Sequence, residues 1–522
     1  MREKKTEVDA IISSQGGHWL YAVGYAVFSL AFVYLNFRIY FPLTNQNNLP
    51  LRHLVALFAV FLFFLTLWLF HRLLCRLSDR VIGWMVLFLF ALLVLAQVMS
   101  IVIFRVTPSW DFGDVITAAS QIAVGKPISY TMYFEIYPHN LKPAILIGTF
   151  MKLFKGASWS YYFLNVLSIS VSILALYFVV KKLWGIRNAA ICLLLALLTT
   201  PLYLYAPIVY TDTLSLPYPI ISLYFYLKWH EAERRGDIKN QLLHFFLLAL
   251  VSAVGYLVKP VAAIMLFAAL GEQCLTVLVR GVKRALRPFI LSLLTALLAA
   301  IFILGSFYAC AHAKGYTKNI SKDKAFPYVH WIMMGMNRPY SEGGTSSGYG
   351  GFSGADYKYT KIYANKEIRK VADIVRIKER LQKFGLGGYA QFLIKKLEWT
   401  WTDPTFYAPE KLGRKPVYSS IFHQWVLPNE EGRHIPYLVI GQAVHGLTLA
   451  MMLFGAVRAW CARSMDGFRM VMVLSCLGIM LFLLAWETRS RYLTFMIPIF
   501  LVMASDGLYS AFKKVDALFG LY

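Results

Sequence analysis

Long apolar runs recur along this chain, separated by short segments in which lysine, arginine and aspartate concentrate. Each run has about twenty residues, the length of helix that crosses a hydrocarbon core about 30 Å thick. We therefore predict an all-α polytopic membrane protein with about twelve transmembrane helices. Their approximate limits are 19–41, 52–75, 82–105, 159–180, 189–206, 213–229, 242–258, 261–279, 288–312, 437–458, 469–486 and 492–510.

The composition supports this interpretation. The 522 residues are 58% hydrophobic and only 15% charged, whereas soluble domains have about 25% charged residues. The first run, 19–41, is too long for the core of a signal peptide, and no small-residue cleavage site follows it, so we expect a retained span. The six cysteines show no paired metal spacing, which predicts neither a zinc site nor a disulfide framework.

The net charge of +25 does not indicate nucleic-acid binding, because the position of the basic residues explains it. With a cytoplasmic N-terminus, the inner loops carry more than twice as many lysines and arginines as the short outer loops. Both termini are then cytoplasmic. Low acidity and the absence of targeting signals favour a multi-pass protein of a bacterial plasma membrane.

Two segments are predicted to lie outside the bilayer core. Residues 141–154 are apolar but too short to cross, which favours an interfacial or re-entrant helix. Residues 313–436 form a large external loop domain with two predicted juxtamembrane helices, 366–384 and 389–401. The predicted domains are an N-terminal helix pair (1–81), a core module (82–312) with its first external loop (106–158), the external domain (313–436) and the C-terminal helices (437–522).

Charged side chains collect where spans end on the outer side. Such groups are costly at membrane depth and tend to be functional. The residues are Asp111 and Asp114 after the third span, Asp212 after the fifth, Lys259 after the seventh, and Glu487, Arg489 and Arg491 after the eleventh.

Each of these residues also has a structural interpretation. Either aspartate of the first pair, or Asp212, is a suitable helix cap. Lys259 is placed to extend to the interface, and the run "ETRSR" is suited to a salt bridge. All of these residues fall on the same predicted side of the membrane, which favours a functional site. Arginine and lysine at the rim bind phosphate well, a phosphate at that depth belongs to a lipid, and a carboxylate nearby can deprotonate an acceptor.

A spaced motif follows the third span, with Asp111, Ala119, Gly125, Tyr130 and Tyr137-Pro138; "YTDTLS" adds Asp212 as a second external acid, and "ETRSRYL" runs from Glu487 to Leu493. In these residues the chain resembles the GT-C superfamily of integral-membrane glycosyltransferases, and within it the protein-mannosyltransferase-like enzymes (glycosyltransferase family 39-like). Many members have an acid directly after the first aspartate, where this chain has Phe112, so the choice between Asp111 and Asp114 as the base stays open.

The resemblance implies transfer of a sugar from a polyprenyl-phosphate donor to a glycan, lipid or protein acceptor, with inversion. Asp111 would be the base, and Asp114 or Asp212 would orient the acceptor. Asp111 and Asp114 would also hold a divalent cation, Mg²⁺ or Mn²⁺, which some members use; no other cofactor is predicted. Lys259, Arg489 and Arg491 would hold the donor phosphate. Glu487, Tyr137, His139, Asn140 and His330 would contact the substrate.

Two other functions remain as alternatives. Twelve spans are common in transporters and lipid-linked glycan flippases, although in those proteins charges tend to lie near the midplane. A glycan polymerase or ligase would use a pyrophosphate-linked oligosaccharide in the same setting. In each case the partner is a lipid bilayer with its lipid-linked substrate, and no nucleic acid is involved.

Overall fold

The computed structural model describes residues 19–43, 50–129, 132–318, 320–321, 323–339, 348–462, 464 and 466–520. It is 79% helical, and its described part contains no strand. An isolated pairing of Val106 with Pro416 is present instead. The predicted all-α polytopic architecture is confirmed.

The described helices are numbered in chain order. The first group is α1 (Trp19–Arg38), α2 (Pro50–Cys75), α3 (Asp79–Ile103), α4 (Trp110–Ala123), α5 (Met132–Ile136), α6 (Leu141–Lys152) and α7 (Trp159–Leu198). The second group is α8 (Pro201–Leu204), α9 (Thr211–Leu214), α10 (Pro217–Arg234), α11 (Ile238–Val258), α12 (Ile264–Arg280) and α13 (Val282–Ala313).

The remaining helices form the external region and the C-terminal spans. They are α14 (Tyr328–Met334), α15 (Gly354–Lys361), α16 (Lys366–Trp401), α17 (Ala408–Leu412), α18 (Ile421–Val426), α19 (Ile435–Cys461), α20 (Gly467–Ala485) and α21 (Ile497–Leu518). Short 3₁₀ helices cover Pro138–Asn140, Pro260–Ala263 and Ser490–Met496.

Among the described residues, ten helical segments are long and apolar enough to cross a membrane. They are Trp19–Arg38, Arg52–Cys75, Asp79–Ile103, Trp159–Leu198, Ile238–Val258, Pro260–Val279, Ala285–Ala313, Ile435–Cys461, Gly467–Ala485 and Ser490–Leu518.

The long helix α7 crosses twice. Its helical conformation is interrupted at Gly185, which has φ 83° and ψ 174°, values that glycine adopts without steric cost. The side chain of Arg187 donates to the carbonyl of Leu74, in the last turn of α2. Asn165, near the start of α7, donates to the carbonyl of Ala206, beyond its end. The chain therefore turns back at Gly185, and we call the end of the bundle where α7 begins the upper end.

Helix α10 supplies one more crossing. It starts just after Asp212 at the upper end, and its Glu231 makes a 2.6 Å ion pair with Lys182, next to the lower-end turn of α7. The crossings in the described residues then number about twelve, as predicted from the spacing of apolar runs. The predicted span 213–229 begins only at Pro217, because residues 211–214 form the separate short helix α9.

The region between α3 and α7 stays at the upper end. Helix α6 has 12 residues, fewer than the roughly 20 that a crossing needs. It packs so closely on α4 that a Cβ at Gly148 would lie 2.7 Å from the carbonyl oxygen of Ala119. This contact fixes the orientation of α4, whose first turn carries Asp111.

A buried lysine is one of the contacts that attach the external region to the bundle. The Nζ of Lys396, in the second part of α16, donates to the carbonyls of Gly335 (2.6 Å), Leu484 (2.9 Å) and Trp486 (2.7 Å). Burial lowers the pKa of Lys396 to about 7. The ammonium satisfies carbonyls at the end of α20, where a positive charge also complements the helix dipole. It thereby fixes the loop that carries Glu487 and Arg489.

Candidate active site

Asp111 is held in place by two neighbours. It lies in the first turn of α4, where the hydroxyl of Tyr133 donates to its Oδ1 at 2.9 Å. The side-chain amide of Asn140 in turn donates to the Tyr133 hydroxyl at 2.5 Å. The preceding residue, Trp110, has φ 51°, a left-handed conformation that is rare for bulky residues. Asp111 is partly exposed, so its carboxylate is oriented and still accessible.

Asp114 lies one turn further along α4 and has no hydrogen-bond partner among the described residues. Burial and, secondarily, the charge of Asp111 raise its pKa. The described residues contain no group of three or more His, Cys, Asp or Glu side chains able to hold a metal ion. Asp111 and Asp114 thus have no third ligand there, and the divalent cation stays a prediction.

Asp212 binds two of the predicted phosphate ligands. Its Oδ1 accepts from Lys259 Nζ and its Oδ2 from an Arg491 guanidinium nitrogen, each at 2.7 Å. Asp212 is only 3% exposed. Burial acts to raise its pKa, but the two cations outweigh this effect and the pKa is lowered. Asp212 is therefore a permanent carboxylate that holds two cations in position.

Arg491 connects the two acidic positions. Its guanidinium lies 5.4 Å from the centroid of the Trp110 ring and 4.8 Å from that of Tyr492. Trp110 directly precedes Asp111, and Arg491 binds Asp212. The two aspartates, about one hundred residues apart in sequence, thus belong to one cluster.

Arg489 differs from Arg491 in having no carboxylate partner within the described part of the chain. It is 5% exposed, and its guanidinium lies 4.6 Å from the ring centroid of Tyr407 and 5.8 Å from that of Trp399. Aromatic faces stabilise such a cation only modestly. A buried guanidinium that is not neutralised is a ready binding site for an anion.

Lys411, a residue that the sequence analysis did not select, is a second cation of this kind. It is 5% exposed, and its Nζ lies 3.5 Å from the ring centroid of Trp110. It makes no ion pair in the described residues. Burial and then the charge of Arg491 lower its pKa to about 6, so a bound anion would favour its protonated form.

Glu410, the next residue to Lys411, was also missed. Its side chain is exposed, yet burial among protein atoms and the neighbouring Asp403 raise its pKa to about 7. A carboxylate with a pKa near 7 is suited to proton transfer at neutral pH.

An aromatic wall borders Asp111. The rings of Trp331 and Trp486 stack with centroids 5.7 Å apart, and His139 lies 5.6 Å from Trp331. His139 is exposed to solvent, and the protein atoms around its ring lower its pKa to about 4, so it is neutral at pH 7. Tyr137 packs edge-on to His139, with centroids 6.1 Å apart.

Two further predicted substrate contacts have protein partners. Glu487 accepts from the Tyr492 hydroxyl at 3.0 Å, and burial raises its pKa. His330 is 1% exposed and its Nδ1 lies 2.7 Å from the hydroxyl oxygen of Thr360. It therefore lies behind the aromatic wall and is not open to solvent, whereas its neighbour Trp331 is part of that wall. Of the motif residues, Tyr130 lies outside the described residues.

The missed residues had no signal in the local pattern. Lys411, Glu410 and Tyr407 belong to the long external region, which the positive-inside rule does not constrain. Tyr133 and Trp110 are adjacent to the motif but carry no charge at neutral pH. Only the return of the external region to the upper end brings Lys411, Glu410 and Tyr407 close to Asp111 and its neighbours.

Comparisons with known proteins identify a family and two distant structures. A sequence model described as "conserved hypothetical integral membrane protein" matches residues 23–511. No protein of curated function matches the sequence. The archaeal oligosaccharyltransferase AglB from Archaeoglobus fulgidus, in complex with an inhibitory peptide and a dolichol-phosphate, is similar with a TM-score of 0.46 and 13% identity.

That match covers 85% of this chain and 52% of the archaeal chain, so this chain spans about half its length. ArnT from Cupriavidus metallidurans, bound to undecaprenyl phosphate, is similar with a TM-score of 0.34 and 15% identity, over 83% of this chain and 79% of that one. Similarity this low assigns no role to any residue.

Proposed function

We propose that this chain, which belongs to the family of conserved hypothetical integral membrane proteins, is a membrane-embedded glycosyltransferase. It moves a sugar from a polyprenyl-phosphate donor to an acceptor hydroxyl at the upper end of the bundle. One observation carries the proposal. Asp111, oriented and accessible, lies in one cluster with Arg489 and Lys411, two buried cations that make no ion pair within the described residues.

Arg489 and Lys411 are the donor-phosphate ligands. Removing a cation from water costs several kcal/mol unless a counter-charge is provided, and both residues are 5% exposed. A phosphate between them supplies that charge, and Arg489 can bind it through two parallel hydrogen bonds. Arg489 lies just after the end of α20, and Lys411 packs on Trp110 next to Asp111, so the phosphate at this level is one that a lipid carries.

Lys259 and Arg491 add further positive charge to the proposed phosphate site. Each donates one hydrogen bond to the carboxylate of Asp212. Their charges are therefore partly compensated and their positions are fixed. Asp212 acts as a positioning residue, because both of its oxygens are engaged by cations. Arg491 retains other N–H groups for the phosphate or for the sugar hydroxyls next to it.

The reaction is a single displacement. Asp111 accepts the proton of the acceptor hydroxyl as its oxygen attacks the anomeric carbon. The bond between that carbon and the phosphate oxygen breaks, and the electron pair leaves with the polyprenyl phosphate. Arg489 and Lys411 stabilise the charge that develops on this leaving group. The acceptor oxygen enters opposite the leaving group, so the configuration inverts.

The aromatic wall holds the sugar. Trp331, Trp486 and Tyr137 offer ring faces and edges at the cleft, and the neutral His139 offers one nitrogen as donor and one as acceptor. Glu487, already bound by Tyr492, accepts from sugar hydroxyls with its second oxygen. Asn140 contributes indirectly by orienting Tyr133.

The test uses the full chain in proteoliposomes with a radiolabelled polyprenyl-phosphate sugar. Transfer of label to an acceptor, or its slow release to water, with loss after changes at Asp111 and Arg489, is the expected result. Accumulation of a labelled solute without covalent product would establish a transporter instead. Competition by a pyrophosphate-linked oligosaccharide, but not by the monophosphate, would establish a polymerase or ligase. Either outcome overturns the proposal.

A further inference from the structure

The backbone turns sharply between α16 and α17, just before the helix that carries Lys411. Phe406 and Tyr407 both have positive φ, 50° and 65°. Left-handed backbone is costly for bulky side chains and is unusual in two consecutive residues. Such strain persists only where the surrounding structure enforces it, and it is concentrated at functional sites.

The side chain of Asp403 holds this turn. Its Oδ1 accepts from the amide and the hydroxyl of Thr405, at 2.9 and 2.7 Å. Its Oδ2 accepts from the amide of Tyr407 at 3.0 Å. The hydroxyl of Tyr205 donates to the carbonyl of Phe406 at 2.6 Å, and both of these residues are buried. These hydrogen bonds together enforce the left-handed pair.

The same carboxylate reaches the loop that carries the arginines of the candidate active site. The hydroxyl of Ser490 donates to Oδ2 of Asp403 at 2.5 Å. Ser490 is 4% exposed and lies between Arg489 and Arg491. Asp403 therefore bridges the turn before α17 and the loop after α20. Because donors of the protein occupy both of its oxygens, it is suited to hold other groups in place.

The two bridged segments are the ones that present Arg489 and Lys411. The ring centroid of Tyr407 lies 4.6 Å from the guanidinium of Arg489 and 5.9 Å from Nζ of Lys411. Helix α17 begins at Ala408, directly after the turn, so the turn sets its direction. Two like charges repel each other, and a fixed backbone is needed to keep both beside one ring.

We propose that Asp403 is a positioning residue, which fixes Arg489 and Lys411 at the spacing that binds one phosphate of the lipid donor. It acts through Ser490 on the arginine loop and through the turn at Tyr407. The inference deepens the proposed transfer and rests on its assignment of Arg489 and Lys411 as phosphate ligands.

The binding test uses the full chain in nanodiscs of zwitterionic lipid, with radiolabelled undecaprenyl phosphate as the probe. Ser490→Ala removes the bridge but leaves the hydrogen bonds of Asp403 to Thr405 and Tyr407 in place. It should weaken binding of the probe by about three- to tenfold. Binding equal to that of the unaltered chain overturns the proposal.

Thr402→Ala is the matched control. It also removes one hydroxyl, next to Asp403, but that hydroxyl donates to the carbonyl of Glu398 within the chain of α16. Binding of the probe should stay within about twofold of the unaltered chain. A loss as large as that of Ser490→Ala would mean that any hydroxyl near the turn matters equally, and this contradicts a specific role for the bridge.

Asp403→Asn tests the carboxylate itself. The variant keeps the size of the side chain and one acceptor oxygen, but its amide group cannot accept from the amide of Tyr407. The KM for the donor should rise about tenfold while kcat stays within about twofold, because the reacting groups are unchanged. A fall in kcat at unchanged KM contradicts a positioning role in donor binding.

Coupling to Arg489 distinguishes positioning from a general loss of stability. The spacing of the two cations matters only while both are present. In an Arg489→Gln background, most of the effect of Ser490→Ala on binding of the probe should therefore disappear. The same fold-loss in both backgrounds would show that Ser490 acts independently of Arg489, and it overturns the proposal.

Release of sugar from the donor to water, measured in parallel, separates this proposal from the transferase. Binding of undecaprenyl phosphate that responds to Ser490→Ala, without any release of sugar by the unaltered chain, refutes the transferase and supports the positioning role. Release of sugar, with binding of the probe unchanged by Ser490→Ala, refutes the positioning role alone.

Discussion

Two buried ionic clusters lie at opposite ends of the helix bundle, and they differ in how their charges are balanced. At the lower end, Arg469 donates to both oxygens of Asp506 (2.7 and 2.9 Å) and to Asp466 (2.7 Å). A single guanidinium there binds two carboxylates. At the upper end the ratio is reversed, because Lys259 and Arg491 share the single carboxylate of Asp212.

The difference separates a structural cluster from a binding site. The guanidinium of Arg469 is fully engaged by its own chain, so the lower cluster has no need of a ligand. At the upper end Arg489 and Lys411 add two more cations without ion pairs in the described residues. A buried surplus of positive charge is costly for the empty protein. An anionic ligand removes that cost, which is why the upper cluster is the candidate site.

The largest effect is expected at Asp111. Asp111→Asn keeps the hydrogen bond with Tyr133 but removes the proton acceptor, and should lower sugar transfer about 10²- to 10⁴-fold. Thermal stability should be unchanged. The measurement is transfer rate from radiolabelled donor at saturating concentration.

Asp114→Asn is the matched control for Asp111, because both residues lie on α4 and only Asp111 is bound by Tyr133. A small effect is expected. If Asp114→Asn abolishes transfer while Asp111→Asn does not, Asp114 is the base.

The next largest effect concerns stability. Arg469→Gln leaves Asp506 and Asp466 without their charged partner, and a broken buried pair costs about 3–5 kcal/mol. Thermal inactivation should therefore occur at a clearly lower temperature. The KM for donor should stay within twofold; a large change in KM would mean that the two clusters are not functionally distinct.

Arg489→Gln should give the opposite result. It should raise the KM for the donor at least tenfold, because a charge-assisted contact to phosphate is lost. Stability should not fall, since Arg489 makes no ion pair in the described residues. Arg489→Lys keeps the charge without the bidentate geometry and should recover part of the affinity. Loss of stability without a change in the KM for the donor would mean that Arg489 stabilises the fold and does not bind the donor phosphate.

The smallest effect is a pH dependence of donor binding. Lys411 has a pKa of about 6 in the empty site, where Arg491, Arg414, Asp212 and Asp111 face it. A bound phosphate raises that pKa, so binding takes up a proton and affinity increases as pH falls towards about 6. The slope is at most tenfold per pH unit.

Lys411→Met should flatten this dependence, measured as donor Kd between pH 5.5 and 8. Glu410 contributes in the same direction, since its protonation near pH 7 removes a negative charge beside the anion. Glu410→Gln removes the titration of this carboxylate, so the pH dependence that remains in that variant is the contribution of Lys411. An unchanged slope in Lys411→Met would exclude Lys411 from the phosphate site.

The sequence alone determined the membrane class, the approximate spans and the positions of Asp111, Asp212, Lys259 and Arg491. The spans and the flanking charges depend only on residues that are close together in the sequence, namely the length of each apolar run and the charged residues at its end. It did not predict that Asp212 would be occupied by two cations, or that His330 would lie behind the aromatic wall.

Only the tertiary structure decided which charges are balanced. Arg491 and Asp212 are 279 residues apart, and Lys411 reaches Trp110 from a loop that no periodic pattern constrains. Whether a buried charge is neutralised depends on distances between such side chains, over which Coulomb energy changes by several kcal/mol. Those distances are set when the spans pack together and the external region folds back onto them.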